Sequence, residues 1–119
     1  MKITLLGTGS PVPSTKRASS GYLIEIGGDV IVMDHGAGAH QRLIESGRSS
    51  TDVTHAFFSH LHSDHCGGNA ALYQAFGAPV VVAPGMAAHV NAWDGTRLTY
   101  EATSQICARF VANAELDAS

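Results

Sequence analysis

A mixed α/β fold, a β-sheet with helices flanking it, is predicted for this chain by three observations. Short apolar runs alternate with helically spaced segments, and glycine or proline stands at most changes of pattern. The strands come first, and strand and helix alternate afterwards. With 119 residues, the chain has room for one domain and one core.

Ile3 to Leu6 is a first strand that breaks at Gly7-Thr8-Gly9-Ser10-Pro11 into a loop running to about Ser20. Tyr22, Ile24 and Ile26 then alternate with Leu23 and Glu25, and Gly27-Gly28-Asp29 turns the chain into Val30-Ile31-Val32-Met33. This predicts a hairpin with a half-buried first arm and a more fully buried second arm. His40, Leu43 and Ile44 have helical spacing that stops at Gly47. His55-Ala56-Phe57-Phe58-Ser59 is the next strand, Asn69 to Phe76 the next helix, closed by Gly77, and Val80 to Ala83 a strand bounded by Pro79 and Pro84-Gly85. Met86 to Trp93 reads as a helix and Thr99 to Val111 as another. Glu115 to Ser119 carry no core signal and are expected to fray.

Composition removes several function classes. Apolar residues make up 45% and charged residues 14%, against roughly 25% charged in ordinary soluble domains, so disorder is excluded and the surface is short of charge. Such a surface is expected to be covered in part by more protein. The net charge of −3 and the absence of basic runs beyond Lys16-Arg17 give no sign of a nucleic-acid-binding face, though such a ligand stays open. Cys66 and Cys107 form no disulfide framework, and no apolar run is long enough for a signal peptide or a membrane span. A cytoplasmic protein is expected.

Histidine is the unusual residue: there are seven, as many as Lys and Arg together. Three of them fall in His60-Leu61-His62-Ser63-Asp64-His65, directly after an apolar strand and directly before Gly67-Gly68 and a helix. On an extended segment residues i and i+2 point the same way, so His60 and His62 can offer two imidazoles to one ion. Asp64 and His65 follow where the chain turns toward the helix and can reach a second ion. Imidazole with carboxylate suits zinc, with manganese or iron as alternatives. Ordinary solvated loop histidines do not explain three imidazoles and a carboxylate within six residues at a strand end. Cys66 reads as a small packed side chain, and His40, His55 and His89 as structural or solvated residues. Gly7-Thr8-Gly9 starts like a dinucleotide fingerprint, but Val12 stands where a glycine is needed and no phosphate-loop lysine follows.

The HxHxDH segment after a buried strand resembles the signature of the metallo-β-lactamase-fold hydrolases. The similarity extends upstream through Leu6-Gly7-Thr8-Gly9-Ser10-Pro11-Val12-Pro13, Arg17, Ser19-Ser20 and Met33-Asp34-His35-Gly36-Ala37-Gly38. Together these resemble the branch that contains ribonuclease Z, related cyclic phosphodiesterases and certain arylsulfatases. The resemblance implies the N-terminal part of an αβ/βα sandwich. It makes His60 and His62 ligands of a first zinc ion, and Asp64 and His65 ligands of a second. Asp64 would also hold the proton of the metal-bound hydroxide that attacks the substrate. Asp34 matches the family aspartate behind the metals, where it accepts a hydrogen bond that orients a ligand or a neighbouring loop; a plain strand-ending aspartate is the alternative. His35 stands where many relatives have a small residue and receives no role.

The implied activity is hydrolysis of a small-molecule or nucleotide ester, foremost a phosphodiester, with sulfate-ester, lactone or other ester hydrolysis as alternatives. The family completes its centre with downstream histidines and a bridging carboxylate, but no histidine follows His89. Residues 1–119 are therefore expected to be the N-terminal portion of one domain, completed by a missing C-terminal portion or by another subunit in a homo-oligomer. A non-catalytic metal-binding fragment is the competing expectation.

Overall fold

The computed structural model describes residues 1–9, 16–36, 38–59, 65, 68–93 and 109–117. Among them, β1 (Lys2–Gly7), β2 (Gly21–Ile26), β3 (Asp29–Met33), β4 (His55–Phe58), β5 (Val80–Val82) and β6 (Ala114–Glu115) form one sheet, ordered as numbered. The first three strands are antiparallel neighbours, and β3 to β6 run parallel. Helices α1 (Ala39–Glu45), α2 (Asn69–Phe76) and α3 (Ala87–Ala92) alternate with the later strands. This is the mixed α/β sheet with flanking helices that the sequence predicts.

Period-two burial shows which face the helices cover. Leu23, Val32, Ala56 and Val80 lie in register across four strands and are all buried. They belong to one core cluster with Leu43 of α1, Leu72 of α2 and Val90 of α3. The opposite face is apolar and open: Ile3 and Leu5 are exposed, and Ile24, Ile31, Met33, Phe57 and Val81 line a groove of about 340 Å³. The second arm of the hairpin is therefore no more buried than the first. Ile31 and Met33 are only half-buried, because the helices pack on one side of β3 alone.

Turns follow local chemistry. Gly27 at the hairpin tip has φ 59° and Gly77 ends α2 at φ 67°, conformations in which a side chain would be strained.

The C-terminal segment departs from expectation. Residues 99–108 of the anticipated last helix lie outside the described residues, and Arg109 to Asn113 are not helical. Phe110 instead plugs the core at 1% exposure, edge-to-face with Phe58 at 5.4 Å and with Trp93 at 5.3 Å. Beyond it, Glu115 does not fray. It pairs in β6 opposite Val82, and its carboxylate accepts hydrogen bonds from the backbone amides of Gly85 (2.8 Å) and Ala87 (2.9 Å). Those two donors hold its carboxyl below the usual carboxylate range. No helix among the described residues is long and apolar enough to cross a membrane.

Candidate metal centre

Parallel pairing of β3 with β4 places the residues after Met33 and after Phe58 at the same sheet edge. The C-terminal ends of parallel strands are where open α/β sheets gather their ligands. Asp34 follows β3 directly. Its amide donates to the Phe57 carbonyl oxygen at 2.9 Å, extending the ladder, while its φ of 51° turns the chain out of the sheet. Aspartate is one of the few non-glycine residues that take this left-handed conformation readily.

The Asp34 carboxylate is buried and points across to Ser59 and His65. Its Oδ1 accepts from the Ser59 amide at 2.7 Å, and its Oδ2 accepts from the Ser59 hydroxyl at 2.9 Å. The same Oδ2 lies 3.1 Å from Nδ1 of His65. One carboxylate thus holds the residue before His60 and touches the last histidine of the motif. His60, His62 and Asp64 themselves, with Cys66, lie outside the described residues. Among the described residues, no three His, Cys, Asp or Glu side chains form a metal-binding group.

His65 is the motif member that can be tested against a metal. With Nδ1 against a carboxylate, its Nε2 is the nitrogen that would serve as ligand, the carboxylate–histidine–metal arrangement typical of zinc sites. The donor set of three imidazoles and one carboxylate in residues 60–65 is also zinc chemistry. The residues present fit the ion.

The corner after β3 also holds Gly68, the residue before α2. The Gly68 amide donates to the His35 carbonyl oxygen at 2.6 Å. A methyl group on Gly68 would stand 2.3 Å from His35 Cδ2, so only glycine allows this approach. Asp34 therefore holds Ser59 through its side chain, and His35 holds Gly68 through its backbone.

His35, given no role from sequence, is fully buried, and His40 is more than a helix-surface residue. His35 Nε2 lies 3.3 Å from His40 Nδ1, and His40 Nε2 lies 2.9 Å from the Ser50 hydroxyl. The His40 ring also stacks on Phe76. Burial, with the neighbouring His40 adding to it, lowers the His35 pKa to about 4, so its ring is neutral at pH 7. The sequence signal for this pair was a histidine beside Asp34 and a second one five residues on. His55 stays at the start of β4 with Nδ1 3.1 Å from the Thr54 hydroxyl, and among the described residues it joins no group of potential metal ligands.

Comparison with known proteins agrees with the fold. The family model described as anti-Pycsar protein Apyc1 matches residues 1–78. The ribonuclease Z of Mycolicibacterium paratuberculosis is 42% identical over 67 residues, which is 56% of this chain and 24% of that protein. The ribonuclease Z of Nocardia farcinica is 32% identical over 83 residues, 70% of this chain and 27% of the relative. The chain thus spans about a quarter of the length of these curated relatives. Among solved structures, a metallo-β-lactamase of Cronobacter sakazakii superposes with a TM-score of 0.71 at 19% identity, covering 97% of this chain and 44% of that one. The native FEZ-1 metallo-β-lactamase of Legionella gormanii gives 0.68 at 15% identity, covering 96% and 43%. At such identities the structural likeness speaks for the fold alone. With the family model covering well over half of its residues, this chain belongs to the anti-Pycsar protein Apyc1 family, in the ribonuclease Z branch of the metallo-β-lactamase fold.

Proposed function

We propose that this chain carries the metal-binding part of a zinc-dependent hydrolase of phosphodiesters, similar to ribonuclease Z. The observation that carries this reading is the buried Asp34 carboxylate, which joins Ser59 and His65 at the edge where β3 and β4 end. His60 and His62 would hold one ion, and Asp64 and His65 a second. When bound, zinc makes a water acidic enough to attack near neutral pH and polarises the ester. Asp64 would also hold the proton of the attacking hydroxide through a hydrogen bond, and Asp34 would keep the His65 ring turned so that Nε2 faces the ion. The other ligands that such centres use would come from further protein, either more of the same polypeptide or a second subunit. The open apolar face of the sheet offers a place for it to pack. A cytoplasmic location belongs to the same proposal.

Names of the relatives favour a phosphodiester over a sulfate ester or lactone, whereas the net charge of −3 gives no independent support for RNA. Zinc-loaded protein is expected to hydrolyse bis(4-nitrophenyl) phosphate faster than 4-nitrophenyl sulfate or 4-nitrophenyl acetate, and His62→Ala should return the rate to background. Faster sulfate or acetate hydrolysis would move the assignment to the corresponding ester class. Zinc binding without any turnover would leave a non-catalytic metal-binding module and overturn the enzyme reading for this chain.

A further inference from the structure

We propose that the part-buried chain His35–His40–Ser50 is a positioning device for the metal centre, in which His40 orients the His35 ring against Gly68 and so fixes the backbone that follows the metal-ligand motif. The inference rests on the zinc reading above and adds to it residues from α1 and from the 3₁₀ turn Ser50–Asp52.

Three observations carry it. First, His35 meets the backbone of Gly68 through both its ring and its carbonyl oxygen, with no space for a methyl group between them. Gly68 is the N-cap of α2, three positions after His65, so a turned His35 ring displaces the backbone just after the metal-ligand motif. Second, His40 also stacks on Phe76, the last residue of α2, with ring centroids 6.3 Å apart. The N-cap of α2 is thus set by His35 and its last residue by His40.

Third, hydrogen-bond accounting gives the chain a direction. His35 Nδ1 is buried and has no hydrogen-bond partner among the described residues. An orphaned N–H is costlier to bury than a bare acceptor, so the proton of His35 belongs on Nε2. Nε2–H then donates to His40 Nδ1, and His40 Nε2–H donates to the Ser50 hydroxyl oxygen. The contact that orients His35 is therefore an acceptor at the Nδ1 position of residue 40.

This direction predicts an asymmetry that a merely space-filling His40 would not show. Asparagine can place its amide oxygen near the position of Nδ1, whereas glutamine reaches the position of Nε2. Zinc affinity of the apo chain, measured by competition with a chromophoric chelator, should fall about tenfold in His40→Ala, the scale seen when a residue supporting a metal ligand is removed. His40→Asn should recover most of the loss and His40→Gln little of it. The d–d spectrum of the cobalt-substituted protein should change in His40→Ala and be restored in His40→Asn. Folded His40→Ala with wild-type zinc affinity would overturn the proposal, as would equal affinities in the asparagine and glutamine variants. Should the alanine variant not fold, the asparagine and glutamine pair decides alone. Wild-type protein that binds no zinc would instead overturn the proposed function, a result distinct from loss of the asymmetry.

Discussion

Asp34→Ala is expected to lower stability by about 2–4 kcal/mol and to weaken zinc binding by about 10- to 100-fold. The stability loss has two sources. The carboxylate accepts two hydrogen bonds from Ser59, and bonds to a charged acceptor are worth roughly 1.5–3 kcal/mol. Alanine at a φ of 51° adds about 1 kcal/mol of backbone strain that aspartate and asparagine tolerate better. The loss of affinity has a separate origin in the contact with His65 Nδ1, which sets the orientation of that ring. Asp34→Asn should therefore recover the backbone conformation and part of the stability. It should still bind zinc less well than wild type, because the negative charge facing His65 is gone. Urea denaturation of the apo proteins separates the first effect from the second. Equal stability and equal zinc affinity in Asp34→Ala and wild type would show that the carboxylate does neither job.

Acidification should destabilise the fold through His35. Its ordinary pKa of 6.5 applies in the unfolded chain, whereas burial and the neighbouring His40 bring it to about 4 in the folded one. Between these values the unfolded state binds a proton that the native state does not. The contribution of the neutral ring is thus complete above pH 6.5 and is lost progressively as the pH falls toward 4. The full loss is about 3 kcal/mol. His35→Gln cannot titrate, so the difference between wild type and this variant in urea midpoint at pH 7 should shrink or reverse near pH 4. A constant difference across that range would show that His35 carries no such dependence.

Much of the sheet was legible because its signals are local. Alternation at Tyr22 to Ile26, the Gly27-Gly28 turn, the apolar run before His60 and the cap at Gly77 each act within a few residues. Strand β6 was not legible. Ala114 and Glu115 are both exposed and give no alternation, and their place is set by pairing with β5 more than thirty residues away. Phe110 was hidden for a related reason, since an apolar residue in a segment with helical spacing does not reveal that it packs on Phe58 and Trp93. The half-exposed outer face of β3 depends on which side the helices choose, and Val30-Ile31-Val32-Met33 reads alike for one-sided or two-sided burial.

At the site, the motif and Asp34 stood out because histidines and carboxylates cluster in one short stretch. The link from His35 to His40 and Ser50 did not, because a histidine in a turn and one on a helix each have ordinary explanations until their rings are 3.3 Å apart. Their partnership is a property of how α1 and the Ser50–Asp52 turn pack beside the corner after β3. No residue type marks it in the chain.

Zinc retained by the chain after gel filtration, read together with its X-ray absorption, tests the metal centre most directly. At least one zinc per chain is expected, in a nitrogen and oxygen shell at about 2.0–2.2 Å with the outer-ring scattering of imidazole, and His62→Ala should remove it. Wild-type protein that retains no zinc, or His62→Ala protein that retains as much as wild type, would contradict a metal centre built on residues 60–65.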